Sequence, residues 1–258
     1  MNTQVQHHLP IIGHHHSPLS QKFGIPRQPN LVAVKSHITF VKPYDDPNAF
    51  VGIEQYSHLW VLWLFHHNKS QDNFRPQVRP PRLGGNDKIG VFATRSMYRP
   101  SQIGLSVVAL NGVEVVDNQV ILYITGADMA DGTPILDIKP YLAFADSVAG
   151  ATSFDKPTVR TVIWSEQAEQ DFDDCLKHHK LTADDKAIIS ELIAQDPRVA
   201  YRQHETNITS AMQYRSIDID FCMNDDGAMV IKHIKSEHHQ PLARKISINH
   251  GQKVENLL

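Results

Sequence analysis

The chain has 258 residues, enough for one large domain or for a domain with an appended subdomain. Its hydrophobic fraction of 41% and charged fraction of 21% are ordinary globular values, which exclude a disordered or fibrous protein. The net charge of -3 excludes binding of nucleic acid through overall basicity, so any such contact must be local.

The cysteines and the apolar runs indicate a cytoplasmic protein. Cys175 and Cys222 lack the spacing of a metal or redox motif, and two thiols fit a reducing compartment better than a disulfide scaffold. The longest apolar run, residues 59–65, is too short to cross a bilayer. The first ten residues also lack the features of a signal peptide.

The first two-thirds of the chain are predicted to be β-rich. Runs of Val, Ile, Leu and aromatic residues, separated by Pro, Gly, Asn and Asp, predict strands at 9–19, 31–41, 58–68, 88–95, 103–116, 119–128 and 158–164. Asn111-Gly112 and Asp117-Asn118 are predicted turns. Because no helix-length segment separates the strands, they predict an antiparallel or mixed sheet that curls into a barrel.

After Trp164 the pattern changes to helices followed by strands. Residues 165–180 predict a helix whose apolar face is formed by Ala168, Phe172, Cys175 and Leu176. Residues 182–197 predict a second helix, with Thr182 and Asp185 in a capping box and Pro197 as a stop. A strand pair at 214–223 and 228–235 follows. We therefore predict a β-barrel domain at 1–160 and a smaller α+β subdomain at 161–258.

Positive charge is concentrated between residues 75 and 99, where Asp87 is the one acidic residue. Arginine binds phosphate or carboxylate through a planar fork of donors, and four nearby prolines stiffen the backbone. The cluster is as consistent with an anion-binding region as with a solvated loop. Its members are Arg75, Arg79, Arg82, Lys88, Arg95 and Arg99.

Three other polar segments are candidates for a site. Residues 23–29, FGIPRQP, suit recognition of a small ligand or an ordinary connection between strands. Residues 125–141 carry acidic groups that could bind a ribose hydroxyl, an ammonium or sulfonium group, or a hard cation, although ADG is also typical of a turn. His66 and His67 could be ligands, bases or packing residues. No cysteine lies near them in sequence, so a zinc site is not expected.

The residues alone do not define a reaction. The chain has no GxGxxG after a strand, no GxxxxGK[ST], no GxSxG and no HExxH, so Rossmann, P-loop, α/β-hydrolase and metalloprotease sites are unsupported. What remains is a β-rich protein with a local anion-binding region and a polar cleft.

Six motifs in a fixed order carry a family resemblance: IPRQP, HLWVLWLFH, RPPRLGG, GVFATRSMYRPSQIGLS, DGTPILDIKPY and DPRVAYR. Over roughly residues 9–205 they resemble the TrmO family, also called YaeB or TsaA-like. The resemblance implies methyl transfer from S-adenosylmethionine to N6 of threonylcarbamoyladenosine, just 3′ of the anticodon in threonine tRNA. It also implies a single-sheeted β-barrel and a homodimer.

The resemblance implies a set of cofactor-binding residues. In this chain they are the PRQ segment, the polar pair after the aromatic strand, the arginine of ATR, the residue after IG and the stretch before GTP. These positions are Pro26, Arg27, Gln28, His66, His67, Arg95, Leu105, Asp128, Met129, Ala130 and Asp131. No metal is expected.

Catalysis is assigned to LDIKPY. The lone pair of a carbamoylated N6 is delocalised, so its proton must leave before or during attack. Alternate residues of an extended strand face one side, and the predicted catalytic set is therefore Asp137, Lys139 and Tyr141.

The predicted tRNA surface consists of arginines that contact anticodon-loop phosphates or the threonyl carboxylate. These are Arg75, Arg79, Arg82, Arg99, Arg198 and Arg202. Two alternatives compete with the enzyme: a non-catalytic RNA-binding barrel, and a barrel that binds a small molecule or metal through the histidine pair and the aspartates.

Overall fold

The structure, a computed structural model, describes residues 8–68, 73–80 and 87–236. These residues form three α-helices: α1 (Ala143–Asp146), α2 (Glu166–Lys177) and α3 (Ala183–Ala194). They also form twelve strands: β1 (Gly13–His16), β2 (Lys35–Phe40), β3 (His58–Leu64), β4 (Gln77–Val78), β5 (Ile89–Gly90), β6 (Ile103–Val116), β7 (Gln119–Thr125), β8 (Pro134–Pro140), β9 (Val162–Trp164), β10 (Ser210–Tyr214), β11 (Ile217–Met223) and β12 (Met229–Ser236). None of the described helices is long and apolar enough to span a membrane.

The predicted single-sheeted barrel is confirmed. Six strands close in the order β1-β2-β7-β6-β3-β8, and every neighbouring pair is antiparallel. Strand β3 shows why the sequence forms it, because Leu59, Val61 and Trp63 are buried while the residues between them are partly exposed. Because of this alternation, the side chains on one face of each strand point into the barrel core.

One of the two predicted turns is correct. Asp117 and Asn118 have φ values of 50° and 62° and join β6 to β7, as a tight hairpin requires. The turn predicted at Asn111-Gly112 is wrong, because β6 continues through it and pairs with β7 on both sides. The register shifts between Leu110 and Gly112, so the turn-like dipeptide forms a bulge instead.

The strand predicted at 88–95 is mostly wrong. Within this run only Ile89–Gly90 forms a strand, and it pairs with the two residues of β4. Val91–Ala93 then form a 3-10 turn, in which the Thr94 hydroxyl donates to the Val91 carbonyl at 2.7 Å. The apolar residues of this run therefore do not continue a sheet.

The α+β character of the carboxy-terminal part is confirmed. A four-stranded sheet has the order β10-β11-β12-β9, with β9 parallel to β12, and α2 packs on β12. The capping box of α3 is present, with the Thr182 amide donating to Asp185 at 2.7 Å. A strand not predicted, β10, precedes the predicted pair and is separated from β11 by a turn at Arg215, whose φ is 55°.

Two apolar cores lie within the described residues, one inside the barrel and one between the second sheet and its helices. Leu19, Val32 and Val34 come from the amino-terminal part but are buried in the second core. The boundary near residue 160 stays a prediction. Residues 19–34, which include the PRQ segment, are thus fixed by the second core.

Candidate functional site

A cleft of about 1880 Å³ is lined by both the barrel and the carboxy-terminal part. A site for one small molecule typically measures roughly 300–1000 Å³, so this cleft has room for a cofactor and part of a second molecule. Its lining residues come from 22–31, 63–68, 75–80, 88–105, 128–133, 154–160 and 192–203.

The wall formed by β3 and β6 depends on Gly104. A Cβ at this position would lie 2.2 Å from Cε2 of Trp63, so only glycine lets the indole lie across β6. The Trp63 Nε1 donates to the Ser106 hydroxyl at 2.9 Å, and that hydroxyl donates to Asp128 at 2.5 Å. The IGLS motif therefore fixes a chain of hydrogen bonds that ends on a carboxylate of the cleft.

Asp128 is half-buried and has a cationic neighbour. Burial raises the pKa of its carboxyl to about 6, against the opposing effects of the Ser106 hydrogen bond and of Arg95. Arg95 in turn donates to Gln28 at 2.9 Å, which links the ATR motif to the PRQ segment. Gln28, Arg95 and Asp128 thus place donors, an acceptor and both charge signs in one cleft.

Arg27 lines the cleft, but its guanidinium binds backbone of the carboxy-terminal part. It donates to the carbonyls of Asp196 at 3.4 Å and Arg198 at 3.1 Å. Pro26 lies beside it in the lining. The guanidinium of Arg27 therefore holds the two parts of the molecule together, whatever else the PRQ segment binds.

The histidine pair after β3 lies in the same cleft. The rings of His66 and His67 are 3.9 Å apart between centroids, and Leu105 of β6 also lines this region. Burial, followed by the neighbouring His67, lowers the pKa of His66. His66 is therefore held in its neutral form at neutral pH, as a hydrogen-bonding group rather than a cation.

The segment from Asp128 to Asp131 is clamped to β1 and the residues after it. The Nδ1 of His15 donates to the Ala130 carbonyl at 3.0 Å, and the Ser17 amide donates to Asp131 at 3.0 Å. Burial lowers the pKa of His15 to about 4, so the ring stays neutral and keeps its donor role. Ala130 lines the cleft, whereas Met129 is buried in the barrel core and neither Met129 nor Asp131 lines the cleft.

The predicted catalytic set lies elsewhere. Strand β8 pairs with β3, so that Asp137 lies opposite Leu62 and Lys139 lies opposite Trp60. The ring centroid of Tyr141 is 5.8 Å from that of Trp60. As predicted, the three share one side, but it is the outer face of the barrel. None of them lines the cleft, so the structure does not bring them together with the predicted cofactor residues.

The predicted tRNA arginines divide into two groups. Arg75, Arg79 and Arg99 line the cleft, and Arg99 also lies 5.6 Å above the Phe92 ring centroid. Arg198 also belongs to the lining of the cleft, but it is only 2% exposed and donates to Asp196 through two nitrogens at 2.7 and 2.9 Å, so its guanidinium is held by this carboxylate. Arg202 does not line the cleft and forms an ion pair with Glu205. Arg82 lies outside the described residues.

Several lining residues were not predicted from the sequence. Gly104 and Trp63 lie in quoted motifs, but only their contact reveals their role. The cleft is also lined by Tyr201, which belongs to the DPRVAYR motif. It is lined as well by residues from 154–160, which belong to no motif. Among the described residues, no group of three or more His, Cys, Asp or Glu side chains is placed to hold a metal ion.

Comparison with known proteins covers most of the chain. Residues 14–147 match the family model of the tRNA-methyltransferase O N-terminal domain, and residues 157–236 match that of the TrmO C-terminal domain. The chain belongs to the TrmO family. Both TrmO domains of this chain contribute to the cleft, and so do residues 154–156 between them.

Relatives and solved structures agree with this assignment. The chain is 41% identical to the Escherichia coli tRNA (adenine(37)-N6)-methyltransferase, over 84% of this chain and 93% of that protein. It is 41% identical to a putative S-adenosylmethionine-dependent methyltransferase of Pseudomonas aeruginosa, over 83% and 91%. A crystal structure of TrmO from Pseudomonas aeruginosa superposes with a TM-score of 0.73 at 31% identity, over 90% of this chain and all of that one.

Proposed function

We propose that this protein is an S-adenosylmethionine-dependent tRNA methyltransferase that acts on N6 of adenine 37. The observation that carries the proposal is the 41% identity to the Escherichia coli enzyme of that name, over 84% of this chain and 93% of that one. Mammalian relatives with the same name match about half of the chain. The alternatives of a non-catalytic RNA-binding barrel and of a small-molecule or metal-binding barrel have no comparable support.

The cleft has the chemistry that S-adenosylmethionine needs. This cofactor carries a carboxylate, an ammonium, a sulfonium and an adenine. Arg95 and Gln28 offer donors for a carboxylate, Asp128 offers a half-buried negative charge for a cation, and Trp63 with Leu105 offers apolar surface. Five further residues of the predicted set belong to the same lining, namely Pro26, Arg27, His66, His67 and Ala130.

Asp128 takes over from Asp137 as the candidate proton acceptor. When bound, S-adenosylmethionine supplies an electrophilic methyl group on a sulfonium that leaves as a neutral thioether. The Asp128 carboxylate would accept the proton that N6 loses. Trp63 and Ser106 orient that carboxylate through their hydrogen bonds. A raised pKa suits a base that must hold a proton near neutral pH.

The family resemblance implies the substrate class, and the arginines of the cleft support it. We propose that the adenine carries a threonylcarbamoyl group, whose carboxylate binds one of the cleft arginines, Arg75, Arg79 or Arg99. Carbonyl conjugation acidifies the N6 proton, which makes its transfer to a carboxylate feasible. The other arginines then bind anticodon-loop phosphates.

Methyl transfer to tRNA tests this function. We expect incorporation of methyl from S-adenosylmethionine into tRNA that carries threonylcarbamoyladenosine, and none into the same tRNA without that group. Equal incorporation into both tRNAs would leave the methyltransferase but remove the substrate assignment. Calorimetry with S-adenosylmethionine is the companion measurement, because only the methyltransferase function requires binding of this cofactor.

The Asp128→Asn variant tests the proton acceptor. A general base typically contributes about 100-fold or more, so we expect turnover at saturating S-adenosylmethionine and tRNA to fall at least that much. Asp137→Asn is the matched control on the outer face and should retain near-wild-type turnover. Wild-type turnover in Asp128→Asn, or its loss in Asp137→Asn, would return the role to the LDIKPY set.

The pH profile gives a second readout of the same role. The carboxylate must be ionised to accept a proton, so kcat/KM should fall about tenfold per pH unit below the Asp128 pKa of about 6 and be level above it. Because the pKa of Asp128 is higher in the folded protein than in the unfolded chain, proton binding stabilises the folded state at low pH. This stabilisation is lost as the pH rises through about 6. Asp128→Asn should therefore unfold at a higher temperature than wild type at pH 7.5.

We also propose that the enzyme is a cytoplasmic homodimer. Its tRNA substrate and its two free, buried cysteines support a reducing compartment. Large apolar side chains that are exposed in the single chain, among them Val51 and Phe144, offer surface for a second copy. Light scattering coupled to gel filtration measures the stoichiometry, and a monomer at micromolar concentration would contradict it.

A further inference from the structure

Tyr201 is an aromatic residue left exposed at the edge of the cleft. Its side chain belongs to a single 3-10 turn, Ala200–Arg202, and 76% of the residue is accessible to solvent. It nevertheless lines the cleft together with Val199 and Gln203. A large ring in this position contributes little to folding, so its presence points to a partner.

The turn that carries Tyr201 is fixed from below by buried polar contacts. Arg198 donates to the carbonyl of Glu205 at 2.8 Å and to that of Gln203 at 3.3 Å. The side-chain amide of Gln203 donates back to the carbonyls of Asp196 and Arg198 at 3.1 and 3.2 Å. The backbone on both sides of Tyr201 is therefore held in place, and the exposed ring is presented from a rigid support.

The same cleft carries several cationic side chains that have no carboxylate partner. Arg75, Arg79, Lys88 and Arg99 line it, and none of the four forms an ion pair with a carboxylate of the described residues. Unpaired cations along a groove with an exposed aromatic ring are the features that bind a single-stranded nucleic acid, because phosphates meet the cations and a base stacks on the ring.

We propose that Tyr201 is a base-stacking residue that receives an unstacked base of the tRNA anticodon loop at the mouth of the cleft. The inference rests on the proposed function, which requires N6 of the target adenine to enter the cleft and so to leave the stack of the loop. A ring on the rim replaces part of the stacking that the loop loses. Tyr201 thereby contributes to recognition of RNA and not to the binding of the methyl donor.

The test compares Tyr201→Ala with Tyr201→Phe and Tyr201→Leu in the full chain. Stacking on every base surface requires only an aromatic ring, so Tyr201→Phe should retain kcat/KM for tRNA, whereas the Ala and Leu variants should lose about tenfold or more. The dissociation constant for S-adenosylmethionine should stay within about twofold in all three. Tyr44→Ala, which removes a 39% exposed tyrosine ring from outside the cleft, is the matched control and should behave as wild type.

The salt dependence of tRNA binding separates stacking from charge. A lost base contact lowers affinity equally at all salt concentrations, so Tyr201→Ala should keep the wild-type slope of log K against log salt, while Arg79→Ala should reduce it. Wild-type kcat/KM in Tyr201→Ala, a changed slope, or a changed stoichiometry by light scattering would overturn the inference. A wild-type protein that fails to methylate tRNA would instead remove the proposed function.

Discussion

At the residue scale, the cleft wall depends on the absence of a side chain at Gly104. The Trp63 indole occupies the space where a Cβ would lie, and Trp63 is only 5% exposed, so it has little freedom to move away. The indole nitrogen in turn orients Ser106 and through it Asp128. The absence of a side chain at Gly104 thus determines the position of the Asp128 carboxylate, which lies in the connection between β7 and β8.

Gly104→Ala is expected to damage both stability and the site. Forcing a methyl group against a packed indole typically costs about 1–3 kcal/mol, and the shift of Trp63 should weaken binding of S-adenosylmethionine. Chemical denaturation and calorimetry measure the two effects. Gly112→Ala in the same strand is the matched control, since a Cβ there has no atom within 4 Å. Equal unfolding midpoints in the two variants would contradict the packing argument.

At the element scale, the loop after α3 is organised around a buried carboxylate. Asp196 binds Arg198 and also accepts from Nε of Arg160 at 3.0 Å. The carbonyls of the same loop receive the guanidinium of Arg27. The DPR part of the motif is therefore structural, and it supports the part that ends in Tyr201.

Arg198→Met should be strongly destabilising, because it leaves Asp196 with one partner and frees two carbonyls. Removing one member of a buried ion pair costs about 3–5 kcal/mol. Arg202→Met removes an exposed pair with Glu205, which is worth less than about 1 kcal/mol. Urea denaturation of both variants measures the difference. Similar stabilities, with a loss of tRNA affinity in Arg198→Met, would restore the role first predicted for Arg198.

At the scale of the whole molecule, the two cores share one segment of chain. Leu19 is 1% exposed in the second core, and the Pro18 carbonyl accepts from the Arg215 amide at 2.7 Å between β10 and β11. The Phe23 ring lies 6.4 Å from that of Phe221 in β11. The PRQ segment therefore reaches the cleft only when the carboxy-terminal sheet is folded.

Leu19→Ala should loosen a sheet that is about 190 residues away along the chain. Truncation of a buried leucine costs about 2–5 kcal/mol, and the cavity would form beside β10 and β11. Hydrogen exchange should rise more in β10–β12 than in β3 and β6. Leu9→Ala, at a residue that is 57% exposed, should leave both sheets unchanged. A rise confined to the barrel would contradict the shared core.

Much of the fold could be predicted because its signals are local. The alternation of buried and exposed residues in β3, the hairpin at Asp117-Asn118 and the capping box of α3 each depend on residues close in sequence. Local signals failed where pairing competed with them. Asn111-Gly112 is a turn dipeptide, but ladder bonds on both sides of it favour a continuous strand.

Most of the predicted cofactor residues line the cleft, whereas the predicted catalytic set does not. Alternation correctly places Asp137, Lys139 and Tyr141 on one side, but it does not say whether that side faces the cleft or the outside of the barrel. Burial of Arg198 depends on carboxylate and carbonyl partners brought together by the loop, and arginine in a sequence motif carries no sign of burial. Those distinctions require the positions of distant strands.

By itself, the sequence determined that this protein is a barrel with an α+β appendage and that it resembles a family of tRNA methyltransferases, because strand succession and motif order are properties of the chain. Only the tertiary structure decided that Asp128 and not Asp137 faces the cleft, and that Tyr201 and not Arg198 meets the solvent. Both results depend on which side chains the closed sheet and the second core leave exposed. The residues that bury the other side chains are far apart in sequence.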